Sequence, residues 1–391
     1  MKENFPILIV GGGIGGLATA LALSKHGRRS HVLEQATDFS EVGAGIQLGS
    51  NVFKLLDLLG IRAAIDAAAF FPDDLIMRDS LSGEDLVRLP VASAPFRERF
   101  KYPHGVIYRP DLMNVLLDAC RRSALIELST DQKLVDFVDD GDRVIVSTAA
   151  GAEHRGCILI GADGLWSTVR QKIVADGPPR VSGHIAYRAV LPMAEIPMAL
   201  RTNAVVLWSG PKRHFVHYPL RRGELCNLVA IFHSDRYEEG WNVYGDPEEL
   251  MQRYDNAVPQ VKALLGKINT WKMWVLCDRD PIKNWSTGRV TLLGDAAHPM
   301  LQYLAQGGCM AIEDAVVLAK QIAEHGDDYE NALLAYQSAR YLRTARVQLT
   351  ARFYGEIYHA EGVKAEVRNQ MFRSNPPTLE GMAWLYDGIE L

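Results

Sequence analysis

The chain has 391 residues, 48% of them hydrophobic and 23% charged, with a formal net charge of −5. That length admits two domains and a substantial core, and the acidic balance excludes a generally nucleic-acid-seeking surface while leaving room for a local basic pocket. No apolar run approaches the roughly 20 residues that span a bilayer, and residues 1–5 run into a strand without a cleavable signal pattern, so a cytoplasmic protein with no membrane partner is expected.

The first stretch, residues 7–16 (ILIVGGGIGG), ends an apolar strand in a glycine turn and opens a helix. Gly11, Gly13 and Gly16 stand in G-x-G-x-x-G spacing. Gly11 permits the turn, Gly13 lets the backbone approach a pyrophosphate, and Gly16 lets helix and strand pack closely. The helix start offers unpaired N–H groups to the anion. A second strand, 30–33, ends at Glu34, where a carboxylate can accept from ribose hydroxyls. Strand, helix, second strand and terminal acid together define a dinucleotide site.

Residues 41–51 (EVGAGIQLGSN) are too glycine-rich for a regular element and read as a loop crossing that site. Helical spacing follows over 52–60, with Gly60 as C-cap, and over 61–69. Residues 75–87 read as strands turning at Ser82-Gly83, and 105–108 as another. Arg109-Pro110-Asp111 precedes a helix over 112–121; Arg109 is either a surface arginine at that helix start or a cation for the cofactor. Residues 126–128, 132–138 and 143–147 alternate as a meander on the first sheet, with Leu134 near its middle.

The strand in 157–164 (CILIGADG) ends in Gly161-Ala162-Asp163-Gly164. Asp163 therefore sits at a strand's carboxyl end, where open α/β sheets bind ligands, and 167–173 is helical. From 178 to 277 the texture becomes alternating strands (185–191, 204–209, 214–219, 225–233), a mostly antiparallel insert. Residues 289–298 (RVTLLGDAAH) carry a third strand into glycine and Asp295, followed by a helix over 309–324. The remainder is mostly helical, broken at Asn375-Pro376-Pro377. The expected fold is α/β: a Rossmann-like domain in two parts (1–177 and 278–345), an inserted β substrate domain (178–277) and a C-terminal helical segment (346–391).

The cysteines, Cys120, Cys157, Cys226, Cys277 and Cys309, are scattered, odd in number and outside C-x-x-C spacing, as reduced structural thiols are. His214, His217 and His233 have no compact set of cysteine or carboxylate neighbours in sequence, and no metal is assigned.

GGGIGG with Glu34, GADG at 161–164 and GDAAHP at 294–299 together resemble the single-component flavin-dependent aromatic hydroxylases of the para-hydroxybenzoate hydroxylase type, over nearly the whole chain. The resemblance implies that the dinucleotide is FAD and the Rossmann-like domain an FAD-binding domain. Gly11, Gly13, Gly15 and Gly16 would take the pyrophosphate, Glu34 and Gln35 the adenosine end, and Asp295 the ribityl chain. Arg109, Val42, Leu134 and Gly308 would line it. Asp163 would organise flavin and reduced nicotinamide, with NADH or NADPH binding transiently and NADH favoured by nearer relatives. A homodimer is also implied. Within the family, GPKRHFVHYPLRRGELCNLVAIFHS (210–234), TWKMWVLCDRDP (270–281) and HPMLQYLAQGGCMAIEDA (298–315) resemble 3-hydroxybenzoate 6-hydroxylases. Those relatives turn 3-hydroxybenzoate and O₂ into 2,5-dihydroxybenzoate (gentisate), and His214, Tyr218 and Gln302 match their active site. Similar 6-hydroxynicotinate 3-hydroxylases tend to carry histidine where this chain has Gln47 and Gln302. The sequence also leaves open a salicylate hydroxylase of the same family and a non-oxygenating flavoprotein that senses a ligand.

The implied chemistry uses a flavin C4a-hydroperoxide, a weak electrophile that needs an electron-rich phenolate. A phenol with a pKa of about 10 calls for a base titrating near neutrality. His214 is expected to receive or relay the proton, against the plainer reading of a satisfied strand histidine. His214 and Tyr218 share one strand face, with His217 opposite. Tyr218 would donate to carboxylate or phenol, and Gln302 can both donate and accept. N–H groups bared by Gly307 and Gly308 would face the flavin edge where negative charge collects on reduction. Trp208, Phe215, Leu301 and Tyr303 are candidates for walls or for core. No cation for the substrate carboxylate can be read from the sequence.

Overall fold

A computed structural model describes residues 5–39, 43–234 and 243–390; Val42 lies outside the described residues. Ile7–Val10 is buried at every position, which a parallel strand covered on both faces requires. It lies inside a six-stranded sheet ordered Ser286–Thr287, Val290–Leu292, Leu159–Gly161, Ile7–Val10, Ser30–Leu33, Ile126–Ser129. All neighbours are parallel except the edge hairpin 286–292. The helix Ile14–Lys25 follows the glycine turn and packs on the helix Gly307–His325. Gly11 takes φ +107°, and a Cβ there would lie 2.3 Å from the Ala162 carbonyl oxygen; one on Gly16 would lie 1.9 Å from that of Gly11. Turn and close strand–helix approach both demand glycine.

The second sheet has eight strands, ordered Tyr244–Gly245, Trp271–Asp278, Arg180–Pro192, Leu225–His233, Arg213–Leu220, Ala204–Gly210, Asp74–Asp79, Asp85–Leu89. It is antiparallel except where Ala204–Gly210 runs parallel to Asp74–Asp79. The mostly antiparallel layer therefore extends beyond 178–277: the hairpin turning at Ser82-Gly83 supplies its far edge. A local pattern announces a hairpin but not the distant strand it joins.

Two other expectations are corrected. Residues 41–51 are not all loop: Gly45–Leu48 pairs antiparallel with Gly105–Tyr108, and a helix starts at Ser50. The meander lacks 126–128, which instead joins the parallel sheet as Ile126–Ser129; the antiparallel group is Leu134–Asp139, Val144–Thr148 and Glu153–Gly156. The C-terminal part is helical, as Tyr329–Tyr358, Val363–Ser374 and Leu379–Tyr386.

A buried ionic knot joins these parts. Arg340 on the long helix donates to Glu313 (2.7 Å) and Asp314 (2.6 Å) on Gly307–His325, and Arg343 reaches Glu313 at 2.6 Å. Asp314 accepts from the Gly294 backbone N–H at 3.0 Å and meets His298 at 2.6 Å. The turn that presents Asp295 is thus clamped at both ends.

Candidate active site

One cavity of about 1240 Å³ runs from the glycine turn to the eight-stranded sheet, larger than the roughly 300–1,000 Å³ of ordinary small-molecule sites. Gly11, Gly13, Glu34, Gln35, Leu134, Asp163, Asp295 and Gly308 line it, as do Arg109, near enough to Arg188 to act on its charge, and His214, Tyr218 and Gln302 at the sheet end. Gly15 and Gly16 do not line it: a Cβ on Gly15 would strike the Leu293 side chain at 2.7 Å, and Gly16 faces the Gly11 carbonyl. Their part is helix packing, whereas a Cβ on Gly13 meets nothing within 4 Å, which leaves space for a phosphate.

Glu34 accepts from the Gly12 N–H (2.6 Å) and the Ala36 N–H (2.8 Å), so it braces the glycine turn as well as facing the cavity. Arg109 lies within the first turn of the helix Arg109–Arg121 rather than before it. Asp163 accepts from the Val169 N–H at 3.2 Å through one oxygen, while its buried Oδ1 has no partner among the described residues. Burial raises its carboxyl pKa, against its local hydrogen bonds. Asp295 opens onto the cavity yet is closely surrounded by protein; that enclosure raises its pKa, opposed by His298 and Arg109. Gly307 and Gly308 form the first turn of Gly307–His325, as the sequence suggests. An orphaned acceptor, an open Gly13 and a long cavity suit a dinucleotide with a sugar chain. Replacing Glu34 with alanine is expected to loosen FAD about tenfold, through one lost charge-assisted contact and a slackened turn; equal FAD affinity in fluorescence titration would remove Glu34 from that role.

At the sheet end His214 and Tyr218 face the cavity from one strand, while His217 is buried outside it and stacks on Phe215 with centroids 5.7 Å apart. Leu301 and Tyr303 are walls; Trp208 and Phe215 belong to the core beneath the sheet. His214 differs from a base titrating near neutrality: burial, with a smaller contribution from His184, lowers its pKa to about 3. Its Nδ1 is bonded to His359 Nε2 at 2.7 Å, leaving Nε2 for a ligand. Burial likewise raises the Tyr218 pKa, against nearby Arg188, so its hydroxyl keeps its proton.

Sequence patterning does not reveal Arg188. It lines the cavity, donates to Gln302 Oε1, and lies over Trp274 at 5.0 Å. Its Nε has no partner among the described residues, and burial lowers its pKa to about 10. Its trace in the sequence is a lone arginine inside the apolar run 185–191. The sheet and the end of the helix Tyr329–Tyr358 together gather His184, His233 and His359, one ring nitrogen of each within 4.8 Å of the others, a grouping that separation along the chain conceals.

A parallel glycine-turn sheet, a long cavity and an antiparallel substrate layer define the FAD-dependent hydroxylases as a class. The family described as "FAD binding domain" matches residues 4–351. The chain is 44% identical to a 3-hydroxybenzoate 6-hydroxylase of Polaromonas naphthalenivorans (99% of this chain, 97% of that one) and 45% identical to 3-hydroxybenzoate 6-hydroxylase 1 of Aquipseudomonas alcaligenes (97% of each). Klebsiella pneumoniae HpxO, solved with FAD and uric acid, superposes with a TM-score of 0.85 at 25% identity, covering 96% of this chain and 94% of that one. The chain belongs to the FAD binding domain family and is a single-component FAD-dependent aromatic hydroxylase.

Proposed function

We propose that the chain hydroxylates 3-hydroxybenzoate para to its hydroxyl group, giving gentisate at the expense of O₂ and NADH or NADPH. The observation that carries this reading is the set Arg188, Tyr218, Gln302 and His214 on one wall of a cavity whose far end has the glycine turn and Glu34. The chemistry that FAD supplies when bound is two-electron acceptance from nicotinamide and transfer of one oxygen atom from O₂ to the ring. Gly11, Gly13 and Glu34 would hold its phosphate and ribose end, with Asp163, Asp295, Arg109, Leu134 and the Gly308 turn along its length. Arg188 presents a cation to the carboxylate, and Tyr218 donates a hydrogen bond from an un-ionised hydroxyl. His214, neutral and with Nε2 open, accepts the phenolic proton, and Gln302 orients the ring between Arg188 and the reacting carbon. Leu301 and Tyr303 exclude water.

Two features support further details. All five cysteines are free, which suits the reducing cytoplasm, and among the described residues no helix is long and apolar enough to cross a membrane. Exposed Leu342, Leu349 and Phe353 on the long helix offer a homodimer face; neither nucleic acid nor membrane is proposed as a partner. Incubating the enzyme with 3-hydroxybenzoate, salicylate or 6-hydroxynicotinate, NADH and O₂ is expected to give gentisate from the first as the main product. A hydroxylated product only from either of the other acids, or H₂O₂ alone, would overturn the reading.

A further inference from the structure

Behind His214 the fold stacks imidazoles that binding and oxygen transfer leave unused. His359, which caps the C-terminus of Tyr329–Tyr358, receives His214 Nδ1 on its Nε2 side at 2.7 Å and meets His233 Nε2 through its Nδ1 at 3.1 Å. Both ring nitrogens of His359 are therefore engaged by another imidazole. His214 and His359 are buried, whereas His233 is only partly covered, at the outer end of its strand. The backbone aligns the rings: the Lys212 N–H donates to the His359 carbonyl at 3.0 Å, and the His233 N–H donates to the Lys212 carbonyl at 3.0 Å. The path therefore leads from the cavity wall to the rim of the sheet without a gap.

We propose that His214, His359 and His233 form a proton relay that carries the phenolic proton of the bound substrate to solvent. This rests on the reading that a phenol binds at His214. The phenol O–H bond breaks as the proton joins His214 Nε2, and the Nδ1 proton of His214 passes to His359 Nε2. The Nδ1 proton of His359 then passes to His233 Nε2, and the Nδ1 proton of His233 leaves to water. One proton enters and one leaves, each imidazole ends in the opposite tautomer, and no ring has to keep a positive charge. Reprotonation of the product runs the path inward and restores the starting tautomers.

Such a relay reconciles the chemistry with the burial of the histidines. A base held by desolvation far below neutrality cannot store the proton of a phenol, but a neutral ring can pass one on while giving one up. Burial lowers His359 well below the usual range, with His214, His184 and His233 adding to it. His233 is lowered as well by desolvation, with Glu356 opposing that effect. Lys212 and Glu361, 3.4 Å apart, are the other charges near this outer end. His184 stacks on His233 with centroids 4.2 Å apart, and its Nδ1 is bonded to the Tyr303 hydroxyl at 2.5 Å, so it lies beside the path and not in it.

The test uses the oxidised, FAD-loaded enzyme without nicotinamide, mixed with 3-hydroxybenzoate in a stopped-flow instrument. Phenolate absorbance reports ionisation, and an indicator in weak buffer reports the released proton. His359→Phe keeps a ring in place but removes both nitrogens, and is expected to slow phenolate formation about tenfold or more with the substrate Kd unchanged. His233→Ala, near the surface, should slow it similarly, and added imidazole should restore the rate, which a packing defect would not allow. Wild-type rates in both variants, or a slow His233→Ala that imidazole leaves slow, would overturn the relay. A wild-type enzyme that binds the acid without forming phenolate would remove the underlying reading, and the relay with it.

Discussion

Replacing Arg188 with methionine is expected to raise the Kd for 3-hydroxybenzoate roughly 150-fold, about 3 kcal/mol, while 3-hydroxybenzamide, which lacks the charge, changes several-fold at most. Arg188 faces the cavity, holds Gln302, and carries an Nε with no partner among the described residues. Burial lowers its pKa to about 10, and Arg109 adds to that while Tyr218 opposes it. A guanidinium so placed gains more from a carboxylate than one already neutralised by a fixed acid. Methionine keeps a long apolar stem over Trp274, so the sheet should survive. Titration of the bound flavin's absorbance with each compound checks the prediction; a Kd for the acid within threefold of wild type would show that the carboxylate is held elsewhere.

The second large effect is on stability. Arg340→Met should cost about 3–5 kcal/mol, because it leaves Glu313 and Asp314 charged and buried without their shared cation. Chemical denaturation measures this, and a loss below about 1 kcal/mol would show that Arg343 and His298 suffice. The loss should also reach FAD retention, since Asp314 holds the Gly294 N–H beside Asp295. Burial would push the Asp314 carboxyl up, but His298 and Arg340 hold it down to about 2. A carboxylate depressed on folding contributes stability that is complete above its unfolded pKa of about 4 and disappears as the pH falls towards 2. Without Arg340 the folded pKa rises towards the unfolded one, so the variant, less stable near neutrality, should lose less further stability on acidification than the wild type, and that loss should be complete at a higher pH.

Much of the nucleotide end is written locally. Gly11 and Gly16 are demanded by a positive φ and by a contact five residues apart, and Glu34 sits where a strand stops beside that turn. The shared facing of His214 and Tyr218 follows from strand parity alone. What reads less well needs partners far along the chain. The hairpin at Ser82-Gly83 looks complete in isolation, and only its pairing with Ala204–Gly210 makes it part of the eight-stranded sheet. Arg188 becomes a cavity residue because Arg180–Pro192 pairs with Leu225–His233, whose Val229 and Ile231 line the same wall.

Local chemistry by itself determined the glycine turn, the acid that braces it, the three strand ends carrying Glu34, Asp163 and Asp295, and the facing of the His/Tyr pair, because turns, helix starts and strand alternation depend on neighbours a few residues away. Tertiary structure alone decided that Arg188 faces the cavity, that burial holds His214 far below the range of a base near pH 7, and that His359, 145 residues from it, touches its ring. Those properties come from desolvation and from pairing between distant strands and helices, and neither exists until the chain has folded.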